Sequence, residues 1–443
     1  MQLKHPKSIR RQLTIATSSL LVAAPLQSTA VETSADQMDD ITVEISRLYY
    51  SEDDRVTVNK TQTLITNELS EDNRIKVNVT YDTMSGASPN GRIYTGGGDA
   101  SGTVAVTTAS GFSFNAANNA SSASKKTWQT PFSDNRIAAN AEWETSLTRL
   151  SKAVLSGGAS FENDYESYNT SGRLLWDFNQ RRTTLTGGVG YNSDTVKPAA
   201  GVPEGLGELW CGTIAIDLDW LSSCADHDQV FFKPANKTVL DYFFGITQVW
   251  NRNTLFQVNY SQSTESGYLT DPYKQISVVD PAFGNQELAI LYEKRPDSRS
   301  TQSLFFKAVN VMSKKTTAYL SYRYFWDDWE IQAHTAGARF RFNLGSKSYI
   351  QPHFRVSYQT AASFSSSYIS VDDSGFATEP QYISADHRLS EQGTVTAGIK
   401  YGRKLGKFGK FGARVEQMQH KYSNNILPDM KAWIVQFLLS MRF

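Results

Sequence analysis

The last twelve residues of the chain, AWIVQFLLSMRF at 432–443, decide the fold. Large apolar side chains occupy every second position, and the positions between them are mixed or polar. Alternation with a period of two predicts a β-strand with one apolar face. The length suits a tilted strand that crosses a membrane, which needs about 10 residues. The apolar positions are Trp433, Val435, Phe437, Leu439, Met441 and Phe443.

The same alternation recurs along the chain, for example at 240–250, 318–326 and 350–358. No segment shows a convincing helical period. Counting the turn signals between such runs predicts about 16 strands. The predicted strands are 40–50, 55–67, 73–82, 135–147, 150–161, 168–178, 182–192, 237–249, 253–265, 298–310, 315–326, 329–344, 347–360, 392–403, 409–421 and 431–443.

The connections between these strands fall into two classes. Those after even-numbered strands are short, whereas long loops at 83–134, 193–236, 266–297 and 361–391 follow odd-numbered strands. A soluble β-sandwich, the alternative, has no reason to segregate loop lengths in this way. The pattern predicts an all-β fold: one transmembrane antiparallel β-barrel with long extracellular loops and short periplasmic turns.

Composition excludes several classes of protein. The chain has 443 residues, 40% of them hydrophobic, with 44 basic and 44 acidic side chains. Its mean hydropathy of -0.41 argues against a multi-pass helical membrane protein. Zero net charge argues against a nucleic-acid partner, because proteins that bind nucleic acid concentrate lysine and arginine.

Residues 1–30 have the features of a cleaved secretory signal peptide. Basic residues at positions 4, 7, 10 and 11 precede a short apolar run, and small residues at 28–30 suit a signal peptidase. The pair Arg10-Arg11 leaves a twin-arginine signal open. Removing this segment leaves 40 basic against 44 acidic residues in a single barrel domain at 31–443.

Several motifs resemble a bacterial family of uncharacterised outer-membrane proteins, domain of unknown function 3570. They lie at 82–91, 268–273, 295–299, 322–329 and 351–364. The resemblance implies an outer-membrane barrel in a Gram-negative envelope. It implies no established activity, substrate or catalytic residue.

If the apolar positions face lipid, their neighbours face the lumen. Five basic or titratable residues on three consecutive strands then form one basic surface, and two glutamates on the fourth strand form an acidic surface opposite. A charged, asymmetric lumen orients and selects small polar solutes. The alternative is that these charges pair and hold a plugged barrel shut. The residues are Arg323, Arg339, Arg341, His353 and Arg355, with Glu142 and Glu144.

Two loop motifs and the C-terminus carry further predictions. The motifs are rich in turn formers, which favours fixed turns at the extracellular rim and leaves open a loop that folds into the barrel as a constriction. A chain that ends in Phe443 on an amphipathic strand resembles the signal that barrels present to the barrel-assembly machinery. The motif residues are Ser85, Gly86, Ala87, Ser88 and Pro89, and Asp271, Pro272 and Tyr273.

Cys211 and Cys224 are the only cysteines, and both fall in the same long loop. In an exported protein the default expectation is a disulfide that closes this loop. Neighbouring acidic residues and His227 are only a weak indication of a metal or redox site.

The sequence predicts no catalytic, cofactor or metal site. It lacks HExxH and GxSxG, and its six histidines are scattered; His334 beside Asp327 and Asp328 is the nearest candidate for an enzyme. We therefore expect a porin-like channel for small polar or anionic solutes, embedded in outer-membrane lipid. The alternative is a non-conducting scaffold or receptor whose long loops bind an envelope protein.

Overall fold

The computed structural model describes residues 40–53, 55–93, 105–107, 113–115, 129–199, 201–211, 231–373, 375–423 and 427–443. Sixteen antiparallel strands form a closed barrel, as predicted. They are β1 Asp40–Glu52, β2 Val56–Glu68, β3 Asn73–Pro89, β4 Gln129–Ser146, β5 Ser151–Phe161, β6 Tyr165–Phe178, β7 Thr183–Val196, β8 Ala235–Val249, β9 Thr254–Gly267, β10 Ser298–Val311, β11 Thr316–Asp327, β12 Gln332–Leu344, β13 Ser348–Gln359, β14 Gln392–Leu405, β15 Gly409–Tyr422 and β16 Met430–Arg442.

The first and last strands close the barrel. Ile45 of β1 lies opposite Thr63 of β2 on one side and Leu439 of β16 on the other. The amide of Phe443 donates to the carbonyl of Ile41, 2.9 Å away. Closure pairs every barrel strand on both sides, so the sheet has no free edge.

The alternation of side chains separates an outward apolar face from an inward face. In β16, Trp433 and Phe437 are 47% and 50% exposed, whereas Ala432 and Ser440, at positions of the opposite face, are buried. Exposed aromatic side chains lie near both ends of the strands, where the interfaces of a bilayer favour them. They are Tyr49, Tyr81, Tyr168, Tyr191 and Trp433 towards one end, and Trp143, Trp176, Trp250, Phe342 and Phe408 towards the other.

The connections differ between the two ends of the barrel. At the short-turn end, seven turns of three or four residues join consecutive strands: 69–72, 147–150, 179–182, 250–253, 312–315, 345–347 and 406–408. The long-loop end carries the long connections 90–128, 197–234, 268–297 and 360–391, together with four short ones, 53–55, 162–164, 328–331 and 423–429.

The first long loop is shorter than the sequence predicted. Residues 83–89 and 129–134 were assigned to it, but they extend β3 and β4 and pair with each other. Ser85 lies opposite Ser133, and Pro89 lies opposite Gln129. The turn-forming residues of this motif therefore lie on a strand, and the chain turns only at Asn90.

A second, smaller sheet lies at the long-loop end. Its four strands come in the order Glu208–Cys211, Gln286–Tyr292, Gln275–Asp280 and Tyr368–Ser370, and we call this sheet the cap. Its apolar core consists of Leu206, Ile276, Val278, Leu288, Ala289, Leu291, Ile369, Val371 and Ile383.

The remaining described elements are short. Among the described residues, no helix is long and apolar enough to cross a membrane. The short strands are Val202–Pro203 with Phe231–Phe232, and Ala105–Thr107 with Ser113–Asn115; the single-turn 3-10 helices are Pro281–Phe283 and His387–Leu389.

Candidate functional site in the barrel lumen

The predicted basic residues point into the barrel. Their immediate neighbours Tyr322, Phe340 and Phe354 are exposed on the outward face at 43%, 37% and 49%. Because side chains alternate across a strand, the residues beside them face inward. These inward residues are Arg323 on β11, Arg339 and Arg341 on β12, and His353 and Arg355 on β13.

Two lysines extend this basic surface. Lys307 on β10 lies opposite Ser321, which is two residues from Arg323 on β11 and therefore faces inward as well. Lys400 on β14 lies opposite Gln351, which is two residues from the inward His353 on β13. Lys307 is not among the lumen residues predicted from the sequence. Its position between Phe306 and Ala308 on an alternating strand would have indicated an inward side chain.

We call six inward cations the basic wall. In the described part of the chain, none of them has a carboxylate within ion-pair distance. Three contact aromatic rings instead: the guanidinium of Arg323 lies 5.5 Å from the ring centre of Phe325. The others lie over Tyr319 at 5.4 Å and Tyr349 at 3.9 Å. The six residues are Lys307, Arg323, Arg339, Arg341, Arg355 and Lys400.

His353 has a different environment from the basic wall. Its Nε2 lies 2.7 Å from Oε1 of Glu416, and the guanidinium of Arg414 lies 2.8 Å from the same oxygen. Glu416 is buried. This carboxylate is therefore shared by two neighbours, and His353 is not part of the basic wall.

The two predicted glutamates do not form a free acidic surface. Glu142 lies 2.5 Å from Lys76 and 2.6 Å from Arg173. Glu144 lies 2.6 Å from Lys152 and 3.4 Å from Arg74. Each carboxylate is thus neutralised by two cations on β3, β5 or β6. Among the described residues, the lumen thus combines one neutralised side with one side whose cations have no carboxylate partner.

Water-accessible space lies in front of the basic wall. Arg323 and Arg355 are both exposed, although they face inward. A 16-stranded barrel is wide enough for an aqueous lumen, whereas an 8-stranded barrel is filled by its side chains. Cations in such a space concentrate small anions, because low-dielectric walls focus the field.

The cap lies across the long-loop end. The loop 268–297, which joins β9 to β10, supplies its two central strands. It contacts the loop between β3 and β4, where Gln275 N donates to Asn90 O at 2.7 Å. It also contacts the loop between β13 and β14, where Lys294 pairs with Ile383. These three attachment points divide the circumference into arcs of six, four and six strands. The cap is thus anchored at three points around the mouth, and no arc between them exceeds half of the barrel.

Buried charges hold the cap to the loop between β13 and β14. Arg295 lies 2.6 Å from Glu293 and 2.8 Å from Asp386, and both carboxylates are fully buried. Arg388 binds both Asp386 and Asp271, at 2.6 and 2.5 Å. Cations hold the pKa of Asp386 well below its usual value despite burial. This network is a fixed structural attachment between two loops.

Two groups in the network have strongly shifted pKa values. Burial raises the pKa of Glu293 to about 7, although Arg295 opposes the shift. Burial, assisted by Lys274, lowers the pKa of His387 to about 3. Near pH 7, Glu293 is therefore about half protonated and His387 is neutral.

The first loop motif serves as the seat of the cap. Gly91 has φ +98°, and a Cβ atom there would lie 2.1 Å from the carbonyl oxygen of Gln275. The Lys274 ammonium donates to the carbonyl of Pro89, and Arg92 binds Glu287 at 2.5 Å. The end of the motif, at 89–91, is a contact surface for the cap rather than the fixed turn at the rim that the sequence favoured.

The second loop motif begins the same attachment. The backbone amide of Tyr273 donates to Oδ1 of Asp271 at 3.0 Å, and Lys274 N donates to the Asp271 carbonyl at 3.1 Å. These bonds form a tight turn around Pro272. The contact between Lys274 and Pro89 thus brings together two motifs that lie far apart in the sequence.

An acidic cluster lies at the rim of the long-loop end. One carboxylate oxygen from each of Asp134, Glu162 and Asp164 lies within 4.8 Å of the other two. Burial raises the pKa of Glu162 to about 7, although Arg136 opposes this.

Other predicted residues lie away from the lumen or outside the description. His334 faces outward and bonds the hydroxyl of Tyr322 at 2.7 Å, whereas Asp327 binds Arg299 at 2.5 Å. Cys224 and the side chain of Cys211 lie outside the described residues, as does the segment 1–30.

Comparisons with known proteins bear on the fold and the family. The family model described as "Protein of unknown function (DUF3570)" matches residues 10–441. No curated protein matches the sequence. Among solved structures, a mutant of the ferric enterobactin receptor (PfeA) from Pseudomonas aeruginosa has 10% identity and a TM-score of 0.41, over 88% of this chain and 54% of that one. The chain thus spans about half of that receptor.

Two further solved structures have similar scores. CdiB from Acinetobacter baumannii has 7% identity and a TM-score of 0.47, over 93% of this chain and 61% of that one. A bacterial polysaccharide outer membrane secretin has 9% identity and a TM-score of 0.45, over 92% of this chain and 100% of that one.

Proposed function

Taking as premises that the chain belongs to the DUF3570 family of unknown function and has an outer-membrane-type barrel, we propose that it is a bacterial outer-membrane channel for small anionic solutes. The long-loop end faces the exterior, and the short-turn end faces the periplasm. This placement follows the usual asymmetry of outer-membrane barrels.

The observation that carries the proposal is the basic wall. Six cations on five consecutive strands, β10 to β14, face the lumen without a carboxylate partner in the described chain. Charges that only held a plugged barrel shut would be paired, as Glu142 and Glu144 are. Unpaired cations along an aqueous path lower the free energy of an anion that passes.

A second candidate function rests on the cap. Because the cap is a four-stranded sheet anchored at three points around the mouth, the long-loop end presents a folded surface to the exterior. A receptor or scaffold that binds an envelope partner through this surface needs no conductance. In both proposals the protein acts by passage or binding, without catalysis.

Planar-bilayer recordings on the refolded protein separate these candidates. Under a tenfold KCl gradient, the channel proposal predicts currents whose reversal potential indicates selectivity for chloride. Replacing Arg323, Arg339 and Arg355 by glutamine removes three of the six charges of the basic wall, and the selectivity should fall towards none.

Arg47 offers a control for this experiment. It lies on the outward face of β1 and is exposed there, opposite Phe437. Arg47→Gln removes one positive charge outside the lumen and should leave the reversal potential unchanged. Absence of conductance, even in a variant whose cap attachment is released by Asp386→Asn, would overturn the channel proposal and leave the receptor.

A further inference from the structure

The short-turn end carries a ring of positive charge that the lumen does not explain. Six of its seven turns contain at least one exposed lysine or arginine. None of these cations has a carboxylate partner among the described residues. The exception is the turn 69–72, which contains Glu71 and Asp72. The cations, which we call the turn ring, are Arg149, Arg181, Arg182, Arg252, Lys314, Lys315, Lys347 and Lys407.

Large apolar side chains accompany these cations at every one of the six turns. Trp250 is 71% exposed beside Arg252, Met312 is 63% exposed beside Lys314, and Phe408 is 67% exposed beside Lys407. The other three turns repeat the arrangement. Their exposed apolar side chains are Leu147 and Leu150, Phe178, and Leu344.

This combination fits a lipid surface better than a protein partner. The ring follows most of the circumference, and lipids surround a barrel on all sides, whereas a protein of ordinary size contacts one arc. An apolar side chain beside a cation matches the boundary of a leaflet, where hydrocarbon meets phosphate within a few ångströms. Lysine and arginine near such a surface are attracted to anionic lipids.

From this arrangement we propose that the turn ring binds the headgroups of anionic phospholipids in the leaflet at the short-turn end. The ligand is a phosphodiester headgroup with a net negative charge, such as phosphatidylglycerol. The inference rests on the membrane location in the proposed function and is independent of conductance.

Spin-labelled lipids test this directly on the refolded full-length protein in vesicles. The fraction of motionally restricted label gives the relative association of phosphatidylglycerol and phosphatidylcholine. We expect the wild type to prefer phosphatidylglycerol and the preference to weaken with added salt. Replacing Lys314, Lys315 and Lys347 by glutamine should reduce the preference by roughly twofold or more.

A matched control removes three exposed lysines from the opposite end of the barrel. Lys233, Lys421 and Lys431 are exposed at the long-loop end. Their triple replacement by glutamine removes the same charge and should leave the preference intact. Heat-modified mobility on a gel verifies that both variants are folded.

Three results would overturn the proposal. One is equal association of the two lipids with the wild type. Another is an equal loss of preference in the two triple variants, since this would indicate a net-charge effect. The third is salt-sensitive binding of a polyglutamate peptide by a wild type without lipid preference, which would assign the turn ring to an acidic protein. None of these readouts depends on whether the barrel conducts.

Discussion

Arg388 Nη2 lies 2.5 Å from Oδ2 of Asp271, although 117 residues separate them in sequence. The same guanidinium binds Asp386, which Arg295 also binds from the other loop. Two loops that leave the barrel four strands apart are therefore joined by ion pairs that share the side chains of Arg388 and Asp386. Because Asp386 is buried, we expect its removal to cost more folding free energy than the removal of a surface ion pair.

Asp386→Asn should detach the cap while the barrel stays folded. Asp386 is 1% exposed, and its loss leaves the guanidinium of Arg295 short of a buried partner. Removing one member of a buried ion pair costs about 3 kcal/mol or more. Hydrogen exchange of residues 275–292 should accelerate by roughly a hundredfold, while amides of the barrel strands are unaffected.

Asp429→Asn is the control for this change. Asp429 lies 4.0 Å from Lys421, and both side chains are more than half exposed. Exposed pairs contribute little, so its effect should stay within about 0.5 kcal/mol. Unchanged exchange of the cap in Asp386→Asn would show that the buried network does not hold it.

Gly91→Ala should displace the cap from its seat on β3. The substitution meets both a φ of +98° and a carbonyl oxygen at 2.1 Å, so the backbone of Gln275 must move. We expect a cost of about 1–3 kcal/mol, seen as lost protection of the amides at 275–277.

Gly284→Ala separates backbone strain from the steric clash. Gly284 has φ +70° with no atom within 4 Å of the added Cβ, so only the conformational cost remains. This cost is about 1 kcal/mol. Equal effects of the two substitutions would contradict a close-packed seat at Gly91.

Glu142→Gln should destabilise the barrel through the cations that it leaves behind. Arg173 has a side chain only 4% exposed and binds Glu142 at 2.6 Å. We expect a loss of about 3 kcal/mol in urea unfolding from lipid vesicles. Glu166→Gln is the comparison, since Glu166 and Lys197 are each one-third exposed, and its effect should be below about 1 kcal/mol. Similar losses would argue against a buried charge network on this side of the lumen.

The stability of the cap should be nearly flat between about pH 4.5 and pH 6.5. Glu293, with its pKa raised to about 7, contributes stability that is present in acid and is lost as the pH rises through 7. His387, with its pKa lowered to about 3, contributes stability that is present above pH 6.5 and is lost as the pH falls towards 3. Across the window the two slopes oppose each other.

Single variants should reveal these opposing slopes. In Glu293→Gln, only the histidine slope remains, and cap stability should increase with pH up to about 6.5. In His387→Gln, only the carboxyl slope remains, and stability should decrease as the pH rises from 4.5 to 7. Opening free energies from hydrogen exchange, corrected for intrinsic rates, provide the measurement. A flat profile in both variants would show that neither group titrates as described.

The barrel was predictable because each strand carries its own alternating pattern of apolar and other residues, which can be recognised without the rest of the chain. A lipid-facing position is apolar, and its neighbour is not, so the direction of Arg339 or His353 follows from Phe340 or Phe354. Sixteen strands and four long connections on one end could be read in this way.

The cap was not predictable, since its contacts join segments that no local pattern connects. Gln275 meets Asn90 across 185 positions, and the apolar run around Ile276 alternates poorly because the cap buries both of its faces. The turn former Gly86 misled the prediction, because its close approach to the backbone of Arg55 requires a glycine on a strand as well as in a turn. Likewise, the partners of Glu142 and Glu144 depend on register, which the composition of a strand does not give.

The three-point attachment of the cap also sets an order of assembly. Its seat lies at Gly91, its central strands lie between β9 and β10, and its last strand, Tyr368–Ser370, follows β13. A chain that enters the membrane strand by strand cannot complete this sheet until most of the barrel exists. The cap of such a chain therefore forms late in insertion, and a protease-resistant cap would report that a molecule has finished folding.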